Sequence, residues 1–192
     1  SAPIRLPLCD AAKMPPGGGP LCYTKFGAWS WLLASVLLGL AACPAVSRVT
    51  DFTWYGHGQS VLRIYGFFVM TMLGAIYHIL PLLLGEGRVC PKGMRATFWL
   101  MMPGVLLFSL PLVIGGIQQG CKLVDARIEF LEAAKAAMMM FRLSTLGETL
   151  ILLGSLAFVV NLGLALLSYY RSVFKTAYAT ATAPLATAGG KL

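Results

Sequence analysis

Four stretches of this chain, Phe26 to Cys43, Val61 to Leu84, about Ala96 to Ile117 and about Thr145 to Tyr170, are nearly free of charge. Each approaches or exceeds the length needed to cross a bilayer. The 18 residues from Phe26 to Cys43 hold no charge, and at 1.5 Å per residue they span about 27 Å, just short of a hydrocarbon core. The second stretch is interrupted only by Arg63 and His78, and Arg63 lies within about one turn of its start, where a long side chain snorkels to the headgroups. The third carries Pro103 and Pro111. Proline is tolerated in a membrane helix when neighbours take up the freed carbonyl, so one kinked helix is expected rather than two. The sequence therefore predicts an all-α integral membrane protein of four transmembrane helices. Composition agrees: 11% of residues are charged, against roughly 25% in a soluble domain, and the mean hydropathy is +0.77.

The flanks read differently. Residues 1–24 hold five prolines and the Gly17 to Gly19 triplet, the composition of a loop. The chain starts with Ser1 and shows no basic start followed by an apolar run, so no signal peptide is expected, and a processed form or a piece of something longer is. The membrane domain is expected over 25–171, with Trp29 and Trp31 as interfacial anchors. Within it, residues 123–141 carry Asp125, Arg127, Glu129, Glu132 and Lys135 against Ile128, Leu131 and Met138 to Met140, a pattern that suits a short helix lying in the interface. Residues 172–192, rich in Ala and Thr, are expected to be disordered.

Four spans put both termini on one side. The N-terminal loop, the second loop and the tail carry nine basic residues, against five (Arg48, Lys122, Arg127, Lys135 and Arg142) on the other side. The positive-inside rule then places both termini in the cytoplasm, in a bacterial-type inner membrane. The same distribution accounts for the net charge of +8 with membrane lipid as the partner, and no nucleic acid is expected.

None of Cys9, Cys22, Cys43, Cys90 and Cys121 stands at C-x-x-C spacing or before a histidine. Neither a zinc site nor covalent heme attachment is encoded, and no metal ligand set is expected. Polar residues inside the spans are the functional candidates. Gln119 and Asn161 suit hydrogen bonds between helices, or a proton or water pathway. Glu148, near the start of the fourth span, suits either a carboxylate meeting the positive end of the helix dipole or a proton-loading site. The methionines read as flexible packing rather than copper ligands.

One segment carries a resemblance. Thr50, Phe52 and Thr53, then Tyr65-Gly66-Phe67-Phe68, then Gly74-Ala75-Ile76-Tyr77 and Pro81 resemble the tenth membrane helix of the catalytic subunit of heme-copper oxidases, most closely the cytochrome cbb class. Ile114 to Gly120, IGGIQQG, resembles the step closing the eleventh helix, and Arg142, Gly147 and Asn161 stand where the twelfth has Arg, Gly and Asn. The likeness covers about Phe26 to Tyr170 and implies helices nine to twelve of a twelve-helix subunit I. It implies respiratory electron transfer from cytochrome c to oxygen with proton pumping, heme b and copper as cofactors, and other oxidase subunits or the preceding helices as partners.

The chain departs from the family at the ligands. Aligned without gaps, the two histidines that bind heme in the family fall on Gln59 and Val61. Valine has no donor atom and an amide is a poor iron ligand. His57 lies two residues before Gln59, about 200° around a helix, and His78 lies about 31 Å further along. The resemblance thus implies no catalytic residue and no cofactor held in the family manner. The favoured expectation is a non-catalytic relative acting as a structural or assembly partner. Two others stay open: an active oxidase with heme rewired to His57, and a small four-helix transporter or channel.

Overall fold

The computed structural model describes residues 19–85, 89–124 and 130–188, all helical or in connecting turns. Helix α1, Pro20–Ala41, opens on a proline behind an extended Gly19, where the missing N–H and fixed φ of proline cost nothing. The same device starts the short α2, Pro44–Thr50. Helix α3, Tyr55–Val61, passes into a π-wound segment, Leu62–Val69, and then into α4, Met70–Leu84. Together these form one rod, Tyr55–Leu84, which stops at Gly85 with φ of 92°. Helix α5 is Pro91–Val124 and α6 is Phe130–Ala188. Among the described residues, four stretches are long and apolar enough to span a bilayer: Pro20–Ala41, Tyr55–Leu84, Pro91–Val124 and Ala137–Tyr178. The expected all-α, four-span architecture is what the chain adopts.

Helix ends differ from the sequence expectation, for local reasons. The loop assigned to 1–24 gives up Pro20 to Thr24 to α1, and the rest of it, through residue 18, lies outside the described residues. The second span begins at Tyr55, six residues before Val61. Pro103 and Pro111 lie inside an unbroken α5. The interfacial helix expected over 123–141 is not a separate element. Leu123 and Val124 end α5, residues 125–129 lie outside the described residues, and from Phe130 onward α6 runs without a break into the fourth span. Neither glycine nor proline stands between Phe130 and Leu146 to interrupt it. The tail expected to be disordered over 172–192 continues α6 through Ala188, since alanine is the strongest helix former; residues 189–192 are outside the description.

Helix α1 lies along the π segment and α4, while α5 packs against α3 on one side and α6 on the other. The buried core runs through all four spans and includes Tyr23, Leu62, Met70, Tyr77, Met101, Val105 and Ile151. Gly66 and Gly147 stand at two of the close approaches between helices. A Cβ on Gly66, inside the π segment, would lie 2.8 Å from the Cβ of Ser30 on α1. A Cβ on Gly147 would collide with the backbone of Phe108 and Leu107 on α5. Gly93 faces Asn161, Gly154 faces Met101, and Gly147 faces Phe108 and Gly104, so α5 and α6 run antiparallel with these residues at matching depths.

Candidate functional site

Gln59 and Val61, the residues on which the resemblance sets the family's heme ligands, occupy one turn of α3 and do different structural work. Gln59 is 5% exposed, and its Nε2 donates to the Ala34 carbonyl on α1 at 3.2 Å. A carboxamide buried in an apolar contact needs that bond, since an unpartnered one costs about 1–3 kcal/mol. Its amide is thereby committed to joining α3 to α1. Val61 is 4% exposed and forms part of the floor of a groove between α3, α5 and α6. The valine offers that groove no donor atom.

His57 stands on the groove side. Its ring meets Trp54 edge-on at 5.5 Å between centroids and Phe108 at 6.3 Å. With Ser60, Tyr65, Phe108 and Glu148 it lines a cavity of about 380 Å³. Gln59 and His57 thus look to opposite sides of α3, one into a helix contact and one into open space. The groove presents one imidazole and, at the family position nearest to it, a valine. This fits a single axial ligand to a heme at most, and not the family's pair. Copper fits no better: among the described residues, no three His, Cys, Asp or Glu side chains come together as a metal site.

Glu148 departs from its expected place. It was expected near a helix start, where a carboxylate meets the dipole; because α6 begins at Phe130, it lies about 27 Å into the helix instead. The helix N-terminus is five turns away, and dipole effects fade within the first turn. Its side chain is exposed into the groove.

Asn161 has the fullest set of partners. It is buried, and its Nδ2 donates to Tyr77 Oη at 3.3 Å and reaches the Cys90 carbonyl at 3.5 Å. Tyr77 Oη lies 3.2 Å from Thr97 Oγ1, which donates to the Gly93 carbonyl at 3.1 Å. Since Thr97 spends its proton on Gly93, Tyr77 donates to Thr97, and the chain of bonds runs Asn161 to Tyr77 to Thr97 to Gly93 across α6, α4 and α5. Nearby, Tyr23 Oη on α1 donates to the Met94 carbonyl at 2.7 Å. All four spans are therefore tied at one membrane face. Sequence reasoning named Asn161 but not Tyr77 or Thr97. The available signal was the placement of a tyrosine and a threonine within otherwise apolar spans.

Gln119 is the counterexample. Its Oε1 is buried with no hydrogen-bond partner. Replacing an orphaned acceptor by an apolar group of similar shape is close to neutral, so Gln119→Met is expected to leave the melting temperature in detergent within about 2 °C of the parent or above it. Replacing Gln59 by leucine, in contrast, removes a made bond and is expected to cost about 1 kcal/mol. A thermal unfolding series on both variants reads the difference.

Cys22, Cys43, Cys90 and Cys121 are free thiols, and Cys9 lies outside the described residues. The ion pair Lys122 to Glu132, 3.8 Å, joins the end of α5 to the start of α6; exposed pairs of this kind contribute little.

Comparisons with known proteins place the chain in a family. The family model for cytochrome c and quinol oxidase polypeptide I matches residues 18–150. A Cbb3-type cytochrome c oxidase subunit CcoN1 of Stutzerimonas stutzeri is 31% identical over 85 residues, which is 44% of this chain and 17% of that protein. A cytochrome c oxidase subunit 1 homolog of Agrobacterium tumefaciens (strain T37) is 27% identical over 142 residues, 70% of this chain and 26% of that one. The chain thus spans about a quarter or less of the length of the curated relatives it matches. The stretch that the family model covers takes in α1 through α5 and the first third of α6, and on that match this multi-pass membrane chain belongs to the cytochrome c and quinol oxidase polypeptide I family.

Proposed function

We propose that this chain is a structural member of an oxidase-type respiratory membrane complex and holds no heme in the family manner. The observation that carries the reading is the chemistry of α3. Gln59 spends its amide on the Ala34 carbonyl, and Val61 brings no donor to the groove. The partners are membrane lipid and either other oxidase subunits or the helices that complete the family's ring, since these four spans are only part of that ring. Leu152, Leu156, Leu164 and Phe174 are all exposed along α6, an apolar face that lipid or a further membrane helix can cover. The surplus of basic residues on the loops supports an orientation with both termini cytoplasmic in a bacterial plasma membrane. Purifying the tagged chain from its native membranes in mild detergent tests the assembly role. Oxidase-type membrane subunits are expected to accompany it in fixed ratio; a chain that purifies alone and supports solute flux in liposomes contradicts it.

A second reading is favoured by one observation, the exposure of His57 to a groove with aromatic walls. Here His57 supplies one axial ligand to a heme held between this chain and a partner. A heme would bring electron transfer to such a site, and this chain's own contribution would be the imidazole and the apolar wall. His57→Ala then removes the Soret absorption of the purified complex, whereas on the first reading the substitution leaves the spectrum unchanged.

A further inference from the structure

Glu148 lies inside the fourth transmembrane stretch, Ala137–Tyr178, opposite the central part of α5. Gly147, its neighbour in the chain, packs on the backbone of Phe108 and Gly104, near the centre of the long α5, Pro91–Val124. Its carboxylate therefore lies far from both ends of that helix. No hydrogen bond or ion pair among the described residues reaches it, although the side chain is exposed. It faces the groove that His57, Ser60 and Tyr65 also line, between the apolar walls of Ile64 and Ile151. The Ser60 hydroxyl is spent on the Gly56 carbonyl at 2.9 Å. No lysine or arginine lines the groove. Arg142, six residues earlier on α6, lies about 120° around the helix and does not line the groove.

A carboxylate at this depth is expensive unless it meets a counter-charge, and intramembrane acids face protein or water for that reason. A helix, about 10–12 Å across with its side chains, fills more space over a few turns than the groove offers. At about 380 Å³ it does admit one long side chain reaching in over the rim. Its apolar walls suit the methylene stem of such a side chain, and the acid at its floor suits a cationic tip.

We propose that a neighbouring membrane helix of a partner subunit lies across this groove and inserts one lysine or arginine side chain that pairs with Glu148. The proposal rests on the first reading of the function, in which the chain works inside a membrane complex and the groove holds no heme. Charge complementarity selects the partner: a hydrophobic span carrying a single basic residue near its centre.

The test uses the complex in its native membranes. A photo-crosslinking phenylalanine analogue is placed at Ile64, which is half exposed at the groove wall, and the joined peptides are identified by mass spectrometry. The expected product joins Ile64's position to a partner span with a lysine or arginine within one turn of the joined residue. Glu148→Gln is expected to lower the crosslink yield by at least about tenfold. Exchanging the charges, Glu148→Lys together with the partner's basic residue to glutamate, is expected to restore it. Size-exclusion profiles of the variants check that each still folds, and Glu148→Asp, which keeps the charge, is expected to keep the crosslink. Crosslinks only to lipid, to a second copy of this chain or to a span without a basic residue would overturn the proposal, as would an undiminished yield in Glu148→Gln. Heme content measured on the same preparation reports on the proposed function separately.

Discussion

Replacing Gly147 by leucine unfastens α5 from α6. Even the Cβ of the new side chain would occupy the positions of the Phe108 and Leu107 backbone, which cannot swing aside as a flexible side chain does. Overpacking at side-chain contacts costs about 1–3 kcal/mol. A clash with backbone at the most extensive helix contact in the molecule is expected to cost at least about 3 kcal/mol. Gly163, sixteen residues further along the same helix, has open space where its Cβ would lie. The matched substitution there is expected to change stability by less than about 0.5 kcal/mol. Detergent-solubilised yield of monodisperse protein and the midpoint of thermal unfolding separate the two, and equal behaviour would show that α5 and α6 are not in contact at Phe108.

Asn161→Leu is expected to have the second largest effect, about 2 kcal/mol. Leucine has nearly the shape of asparagine and so preserves the fit against Gly93, while it removes the donor to Tyr77 and to the Cys90 carbonyl. Single interhelical hydrogen bonds in membranes average about 0.6 kcal/mol. The expected loss is larger because the Asn161, Tyr77 and Thr97 groups polarise one another along one chain of bonds. Thr97→Val interrupts the same chain at its other end, where Thr97 is fully buried. The two substitutions together are therefore expected to cost clearly less than the sum of their separate effects. Strict additivity would mean that the bonds act independently. Since neither side chain reaches the groove of His57 and Glu148, the optical spectrum of both variants is expected to match the parent.

The spans were legible because uncharged runs of this length have one stable solvent. Their ends were not, and Glu148 shows the consequence. The charges at 125 to 135 suggested an interfacial helix and hence a new start near Thr145. The physical fact that decides the matter is negative: no residue from Phe130 to Leu146 breaks a helix. Charge placed Glu148 at a helix end; continuity of the backbone puts it about five turns inside α6. The family resemblance was legible in Tyr65 to Phe68 and Gly74 to Tyr77, and it marked Gln59 and Val61 as the positions to watch. What those residues do instead was not legible. The bond from Gln59 to Ala34 requires α1 to lie beside α3, and the groove joining His57 to Glu148 requires three elements 91 residues apart in sequence to converge. The π winding of Leu62–Val69 had no signal in the sequence beyond Gly66, whose missing side chain lets α1 approach at Ser30.

On the proposed reading, Gln59 and Val61 serve the packing of α3 rather than a cofactor. The most direct measurement is the heme content per chain, by pyridine hemochrome, of the complex purified from native membranes, compared between the parent and Gln59→Leu. The account predicts that no heme is assignable to this chain and that Gln59→Leu lowers stability without altering the spectrum. Stoichiometric heme that is lost when Gln59 alone is replaced would contradict it.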